Sequence, residues 1–387
     1  PVKKQALAGA VVNLNINASP FHRGKWRERE EMLVQRAKDA NCAIVYVNQV
    51  GGQDELVFDG ASTVIDRNGN VITTAAQHQE DFLVVDIDAT GLVTAADGSE
   101  PRAKLEPIAE VYQALVVGTR DYVRKNGFTD VVIGLSGGID SSLVAAVAVD
   151  ALGADHVHGV SMPSRYSTDG SKSDAYALAD ALGIDCRTIS IEPAFESYLS
   201  MLAGSFEGRE PDLTEENLQS RCRGMLLMAL SNKFNWMVLT TGNKSEMAVG
   251  YFTIYGDSAG GYAVIKDVLK VQVYALSRYV NEREGREIIP EEVLTKAPSA
   301  ELRPDQRDDQ SLPPYEVLDE ILEMYVEQDM TASQIVAKGH EEALVRRIAR
   351  LVDLSEYKRR QCAPGVRITT KAFGKDRRLP ITNAYRG

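Results

Sequence analysis

Short apolar runs set off by polar residues fill the first part of the chain, and they predict strands. Residues 10–17 (AVVNLNIN) and 43–48 (AIVYVN) have that pattern. Between them, residues 25–40 are charged, with Met32, Leu33 and Ala37 at helical spacing, and predict a helix. Residues 62–65 and 71–74 flank Asp66-Arg67-Asn68-Gly69-Asn70, a hairpin with an Asn-Gly tip. Residues 82–87 predict a further strand. The chain opens straight into a strand with no preceding partner, so this region reads as the tail of a larger sheet domain.

Residues 88–107 mix Gly, Pro, Ala and charge without a period, which predicts a linker. Beyond them strand and helix alternate. Helices are expected at 108–125, 141–152, 169–182 and 213–234, and strands at 131–135, 156–161, 186–191 and 236–240. Such alternation predicts an α/β fold, a parallel sheet wrapped by helices. The last third is mostly helical (315–327, 332–336, 341–354) and ends in basic residues. No internal repeat or low-complexity tract interrupts it.

The 387 residues are 44% hydrophobic and 25% charged, a globular composition long enough for two or three domains. A formal net charge of −12 argues against a nucleic-acid scaffold, because polyanion binders need an electropositive face. Cys42, Cys186, Cys222 and Cys362 are widely spaced and form no CxxC pair, so they read as thiols of a reducing compartment. No apolar run approaches the ~18 residues of a membrane span, and no signal-peptide pattern opens the chain. A soluble, cytoplasmic protein is expected.

The chemistry-bearing segment is Ile133-Gly134-Leu135-Ser136-Gly137-Gly138-Ile139-Asp140-Ser141-Ser142, placed where a strand gives way to a helix. A helix N-terminus presents unpaired N–H groups and partial positive charge to an anion. Gly137 and Gly138 let the backbone approach an oxyanion, and Ser136, Ser141 and Ser142 add hydroxyls. Asp140 would repel phosphate, and it makes sense if it holds Mg²⁺ there. The loop lacks the Gly-Lys-Ser/Thr ending of a Walker A loop, so γ-phosphate transfer is not the expected chemistry. Taken by itself, a glycine-rich turn that binds nothing would give the same spacing.

The string resembles the SGGxDS loop of the ATP-pyrophosphatase superfamily, whose members cut ATP between the α and β phosphates and transfer AMP to a substrate oxygen. Further segments resemble the glutamine-dependent NAD synthetase family. Thr240–Glu246 is similar to its GTxxxxE segment, with Thr240 in place of Gly, and Tyr255-Gly256-Asp257 matches its YGD. Glu216-Asn217-Leu218-Gln219-Ser220-Arg221-Cys222-Arg223 is similar to its ENLQxRxRG stretch. Lys296-Ala297-Pro298-Ser299-Ala300-Glu301-Leu302 and Gln306-Arg307-Asp308-Asp309 resemble the family's loop over the ATP site. On their own residues, Asp140, Glu246 and Asp257 are three carboxylates on loops near strand C-terminal ends, and Asn217 and Arg221 share a helix side that a polar outer face would equally explain.

The resemblance implies a doubly wound parallel sheet, the adenine nucleotide alpha hydrolase-like synthetase domain. It would bind ATP through Gly134, Leu135, Ser136, Gly137, Gly138, Ile139, Asp140, Ser141, Ser142, Thr241, Lys270 and Ser299, with Asp140 and Lys270 catalytic. Deamido-NAD would contact Asn217, Arg221, Glu246, Asp257 and Lys358, and Mg²⁺ would sit on Asp140 and Glu246. The basic segments around Lys358 and Arg377 would face the dinucleotide pyrophosphate, unless they are simply solvated. Residues 17–25 and 46–60 resemble the C-terminal part of the family's nitrilase-like α/β sandwich, a glutaminase, with Ser19 and Lys25 near the glutamine pocket. That implies domains at 1–88 and 108–387 joined by a linker at 89–107. The glutaminase's Cys, Glu and Lys cannot be placed, and Cys42 reads as structural. Either the sequence is a fragment of a longer polypeptide, which its start at Pro1 favours, or the chain uses free ammonia. The expected reaction is amidation of deamido-NAD to NAD through an acyl-adenylate, releasing AMP and pyrophosphate, by a homo-oligomer. A different acceptor within the superfamily, or a non-catalytic nucleotide-binding scaffold, are the competing readings.

Overall fold

The computed structural model describes residues 1–96, 100–304 and 306–382. It divides into two compact units, residues 1–121 and 122–387.

The first unit opens with helix α1 (Val2–Leu7), which the strand pattern did not suggest, followed by β1 (Val12–Asn17), α2 (Lys25–Ala40) and β2 (Ala43–Asn48). A tight hairpin, β3 (Val50–Gln53) and β4 (Leu56–Asp59), precedes β5 (Thr63–Ile65) and β6 (Val71–Thr74). The main sheet has the order β1-β2-β5-β6, with β1 and β2 parallel and the rest antiparallel. Leu33 and Ala37 of α2 pack on Ile44, Tyr46 and Ile65 as the core-facing stripe, whereas Met32 is exposed. The Asn-Gly tip forms as expected, with the Asp66 carboxylate accepting from the backbone N–H groups of Asn68 and Asn70. The strand expected at 82–87 is confined to β7 (Val85–Ile87). It pairs with β8 (Val93–Ala95), which corrects part of the linker to hairpin; residues 97–99 lie outside the described residues. The helix α3 (Pro107–Lys125) follows, and within this unit its Glu110 accepts from Gly24 N and Gln77 Nε2, at 3.2 and 3.1 Å.

The second unit is the α/β fold. Its first elements are β9 (Val131–Gly134), α4 (Ile139–Leu152), β10 (Val157–Ser161), α5 (Asp169–Leu182), β11 (Asp185–Thr188), α6 (Glu192–Leu202) and α7 (Leu213–Phe234). Then come β12 (Met237–Thr240), α8 (Lys244–Val249), β13 (Tyr262–Ala263), α9 (Lys270–Glu284) and α10 (Glu291–Thr295). The all-parallel order is β11-β10-β9-β12-β13. The chain winds outward from β9 in one direction and returns to the other side of it with β12. Such a doubly wound sheet opens a crevice at the carboxyl ends of β9 and β12, where the winding reverses. Helix α4 is buried nearly all round, which its Ala- and Ser-rich sequence permits.

The C-terminal helices are α11 (Tyr315–Leu322), continued by a π-helical turn at Glu323–Glu327, then α12 (Ala332–Val336), α13 (Glu342–Leu354) and α14 (Glu356–Arg359). Helices α11, α12 and α13 share a core containing Leu318, Ile321, Ile335, Val345, Ile348 and Ala248 of α8. Lys244, at the start of α8, is 1% exposed and lies 2.8 Å from Asp267 and 2.9 Å from Glu327. It also donates to Thr369 Oγ1 at 2.8 Å, while Asp267 accepts from the backbone N–H groups of Ile368 and Thr369. A buried ammonium is tolerated because every direction it faces holds an acceptor. Among the described residues the four cysteines are free, Cys42 is fully buried, and no helix is long and apolar enough to cross a membrane.

Candidate active site

The glycine-serine loop leaves β9 and enters α4 at the crevice. No side chain caps the first turn of α4, whose N-cap is Gly138, so its leading N–H groups are offered to an anion. Gly137 has φ +72°, and a Cβ there would stand 2.1 Å from Ser171 O at the start of α5. Glycine is therefore required twice, for conformation and for space. The hydroxyls of Ser141 and Ser142 donate to Gly138 O, at 3.0 and 2.9 Å, and Ser136 Oγ accepts from Gly138 N. The serines thus brace the loop and occupy the backbone N–H groups of Ser136 and Gly138.

Two carboxylates expected on loops sit instead in helical first turns: Asp140 in α4 and Glu246 in α8. Only Asp257 lies on a loop. Asn243 caps α8, accepting from Glu246 N at 3.0 Å, and its Nδ2 donates to Asp140 Oδ1 at 2.8 Å across the crevice. Lys270 Nζ, from the start of α9, donates to Asp140 Oδ2 and lies 3.3 Å from Glu246 Oε1. The Lys270 side chain is 3% exposed, whereas Asp140 and Glu246 keep 18% and 17%, so a ligand reaches the carboxylates before the lysine.

Burial works against the Lys270 charge, but Asp140 and Glu246 outweigh it and hold the ammonium above its ordinary value. Burial pushes the Glu246 carboxyl up; Lys270 pulls it down, and Asp140 and Asp308 push it up again. Asp308 is buried beside this group, accepting from Tyr315 Oη at 2.9 Å and Tyr251 Oη at 3.3 Å, and burial raises its carboxyl too. Lys270 Nζ lies 5.4 Å over the Tyr315 ring. The site is thus rich in carboxylate with one lysine in its middle. A polyanion brought here needs positive charge with it.

A second group surrounds the loop after α8. Asn217 Oδ1 accepts from Thr253 Oγ1 at 2.8 Å, and Arg221 Nε donates to Ile254 O at 3.3 Å. Asp257 Oδ1 accepts from Ser220 Oγ and Thr253 N, at 2.9 and 2.8 Å, while burial raises its carboxyl against those bonds. Lys358 Nζ donates to Gly250 O and Phe252 O and sits 5.3 Å over the Phe252 ring. Helix α7 approaches closely at Gly224, where a Cβ would meet Tyr255 O and Gly256 O at 2.8 Å. Arg223 turns away, donating to Met162 O at 3.1 Å. The structure therefore joins Asn217, Arg221, Asp257 and Lys358 around one loop. It joins Glu246 instead to Lys270, which also holds Asp140.

The basic segment at 357–360 is not a solvated tail: Lys358 and Arg359 belong to α14, and Arg359 is buried against Glu356, Val352 O and Ala248 O. The loop after α10 is tied down at several points. Lys296 pairs with Asp174 at 2.8 Å, Glu301 accepts from Thr168 and Ser171, and Gln219 Nε2 donates to Leu302 O at 2.9 Å. Ser299 Oγ donates within this loop, to Gln306 O. Thr241 follows β12 and is half-buried. Sequence reasoning missed Asn243, Tyr251, Thr253 and Tyr315 as site residues, though Asn243-Lys244-Ser245-Glu246 is a readable capping box.

In the first unit, Ser19 N donates to Asn48 Oδ1 at 2.8 Å, and Lys25 pairs with Glu28 at 3.0 Å. Asn48 also donates to Asp59, which forms a buried pair with Arg29 at 2.7 Å.

A doubly wound sheet with an uncapped glycine loop and a carboxylate-bound lysine at its switch point defines a nucleotide-binding α/β enzyme domain. Residues 111–362 match the NAD synthase family and residues 3–96 the carbon-nitrogen hydrolase family. The chain is 50% identical to the glutamine-dependent NAD(+) synthetase of Thermotoga maritima, covering 98% of this chain and 71% of that protein. It is also 50% identical to the glutamine-dependent NAD(+) synthetase of Xanthomonas campestris, over 100% of this chain and 70% of that one. The solved glutamine-dependent NAD+ synthetase of Acinetobacter baumannii, in complex with ADP, superposes with a TM-score of 0.74 at 45% identity, covering 99% and 70% of the two chains. The chain belongs to the NAD synthase family, in its glutamine-dependent branch.

Proposed function

We propose that this chain amidates deamido-NAD to NAD at the expense of ATP, with Asp140, Glu246 and Lys270 at the switch point handling the phosphates. Amide formation with glutamine- or ammonia-derived nitrogen is the ligase activity that membership in the family carries. The observation that supports the residue assignment is Lys270 held between two carboxylates beside an uncapped helix N-terminus.

The donor set fits a magnesium ion arriving with the nucleotide, since Asp140 and Glu246 offer two hard carboxylates that would hold it. Bound there, the ion would supply charge neutralisation at the phosphates. The loop N–H groups and Lys270 hold the β and γ phosphates. A nicotinate carboxylate oxygen attacks the α phosphorus, forming an O–P bond while the bond to pyrophosphate breaks. Lys270 and the loop N–H groups stabilise the charge that departs. Ammonia then attacks the acyl carbon, the bond to AMP breaks, and the excess protons pass to water. Asn217, Arg221, Asp257 and Lys358 orient the dinucleotide, and the loop at 296–309 shields the acyl-adenylate from hydrolysis. Ser19 and Lys25 belong to the glutamine-binding side of the first unit.

The chain incubated with ATP, Mg²⁺, deamido-NAD and ammonium is expected to yield AMP and NAD in equal amounts. Formation of ADP, or of AMP without deamido-NAD, overturns the assignment.

A further inference from the structure

Helix α9 begins at Lys270, yet its own N-cap, Leu269, has no side-chain oxygen to offer. The first N–H groups of a helix need outside acceptors. Here they come from two other helices. Ser245 Oγ, in α8 beside Glu246, accepts from Lys270 N at 2.9 Å. Asp319 Oδ2, in α11, accepts from Val271 N at 2.9 Å. The Ser245 hydroxyl donates in turn to Asp319 Oδ1, so both caps form one unit. Ser245 is fully buried and Asp319 is 5% exposed, which removes water as an alternative partner.

We propose that Ser245 and Asp319 are positioning residues that fix the backbone from which Lys270 reaches the phosphate site. The unit sits where the helices bearing Glu246, Lys270 and Tyr315 meet. An ammonium at a helix N-terminus opposes the helix dipole. The Asp319 carboxylate at the same end offsets that conflict, so the lysine stays at N1 without unwinding the first turn. Loss of the unit frees the start of α9 and lets Nζ drift, and a drift of about 1 Å costs on the order of a hundredfold in rate. The inference rests on the reading of Lys270 as the phosphate-facing group.

Two measurements test it. In amide hydrogen exchange, Ser245→Ala and Asp319→Ala should speed exchange at Lys270 and Val271 by about tenfold or more, with little change at the far end of α9. Unaltered exchange at those two amides overturns the proposal whether or not the enzyme is active. In the AMP-release assay, Asp319→Ala should lower kcat by roughly ten- to a hundredfold, with KM for deamido-NAD within about twofold of wild type. Asp319→Asn, which keeps an oxygen for Val271 N but not the charge, should recover part of the loss. Combined with Lys270→Met, Asp319→Ala should add less than about threefold, because both act through one group. A full multiplicative loss overturns the positioning role. If Asp319→Ala does not fold, the same cycle run with Ser245→Ala decides. A Lys270→Met enzyme as fast as wild type would count against the functional reading, while the exchange result still judges the caps.

Discussion

Replacing Gly137 by alanine places a methyl carbon 2.1 Å from Ser171 O, 2.8 Å from its carbonyl carbon and 2.9 Å from its Cα. All three are backbone atoms, so no rotamer change relieves the contact. The shortest lies about 1.3 Å inside ordinary van der Waals distance, and either the loop or the start of α5 must move by that amount. The residue would also hold φ +72° with a side chain, which adds about 1–2 kcal/mol of strain. Overpacking of this kind costs about 1–3 kcal/mol more. On the proposed reading the same loop presents N–H groups to the phosphates, and the displacement should then lower kcat/KM for ATP by about a hundredfold or more. Gly153, at the other end of α4, is the control: its φ is +96°, but nothing lies within 4 Å of an added Cβ. Gly153→Ala should therefore lose only strain energy and keep its rate. AMP release under ATP-limiting conditions, with a thermal melt of each variant, reads both quantities. A Gly137→Ala enzyme within threefold of wild type would refute the argument that this loop's position is set by contact with α5.

Further outcomes follow from the same geometry. Asp140→Asn should cut AMP release by at least about a hundredfold while the fold survives, because Glu246 still pairs with Lys270; near-normal release would remove Asp140 from the chemistry. Asn217→Ala should raise KM for deamido-NAD about tenfold, or about 1.4 kcal/mol, with kcat little changed. A fall in kcat alone would place Asn217 elsewhere in the cycle. His78, buried in the first unit, is pushed down to about 4 by burial, partly opposed by Asp59. The unfolded chain therefore binds a proton first as pH falls, and stability drops between about 6.5 and 4 by on the order of 3 kcal/mol. Urea unfolding followed at pH 7 and pH 4 should show His78→Asn losing that much less than wild type; equal losses would contradict the buried, neutral imidazole.

The buried strands were legible as short apolar runs, and a helix such as 25–40 because its one buried face leaves a period in the sequence. Residues 25–40, 169–182 and 213–234 were delimited as they stand. Helix α9 was not, and the reason is physical. Its start-signal is not local, since the oxygens that cap it come from Ser245 and Asp319 in other helices. Helix α6, which the sequence reading did not delimit, opens with Glu192-Pro193, a proline suited to a first helical turn. The glycine-serine loop was visible because strand end, small residues and helix start are contiguous. The partners of Asp140 were harder to see: Asn243 and Lys270 lie 103 and 130 residues further on. Resemblance supplied Lys270, while Asn243, Tyr251 and Tyr315 emerged only once the helices were in place. The structure also places Glu246 with Lys270 and Asp257 with Ser220 and Thr253, although the chain order sets the two carboxylates close together.

The acceptors around Lys244 have a consequence for the order of synthesis. Lys244 starts the helix that carries Glu246, but Thr369, one of its partners, is made 125 residues later. While the chain grows, β9, its glycine loop and β12 can pair long before that residue exists. Asp267 and Glu327 can pair with Lys244 earlier, but its bonds to Thr369 Oγ1 and Lys371 O form only when the 368–371 stretch arrives. The last acceptors around the lysine that opens the Glu246 helix are therefore supplied from the far end of the chain.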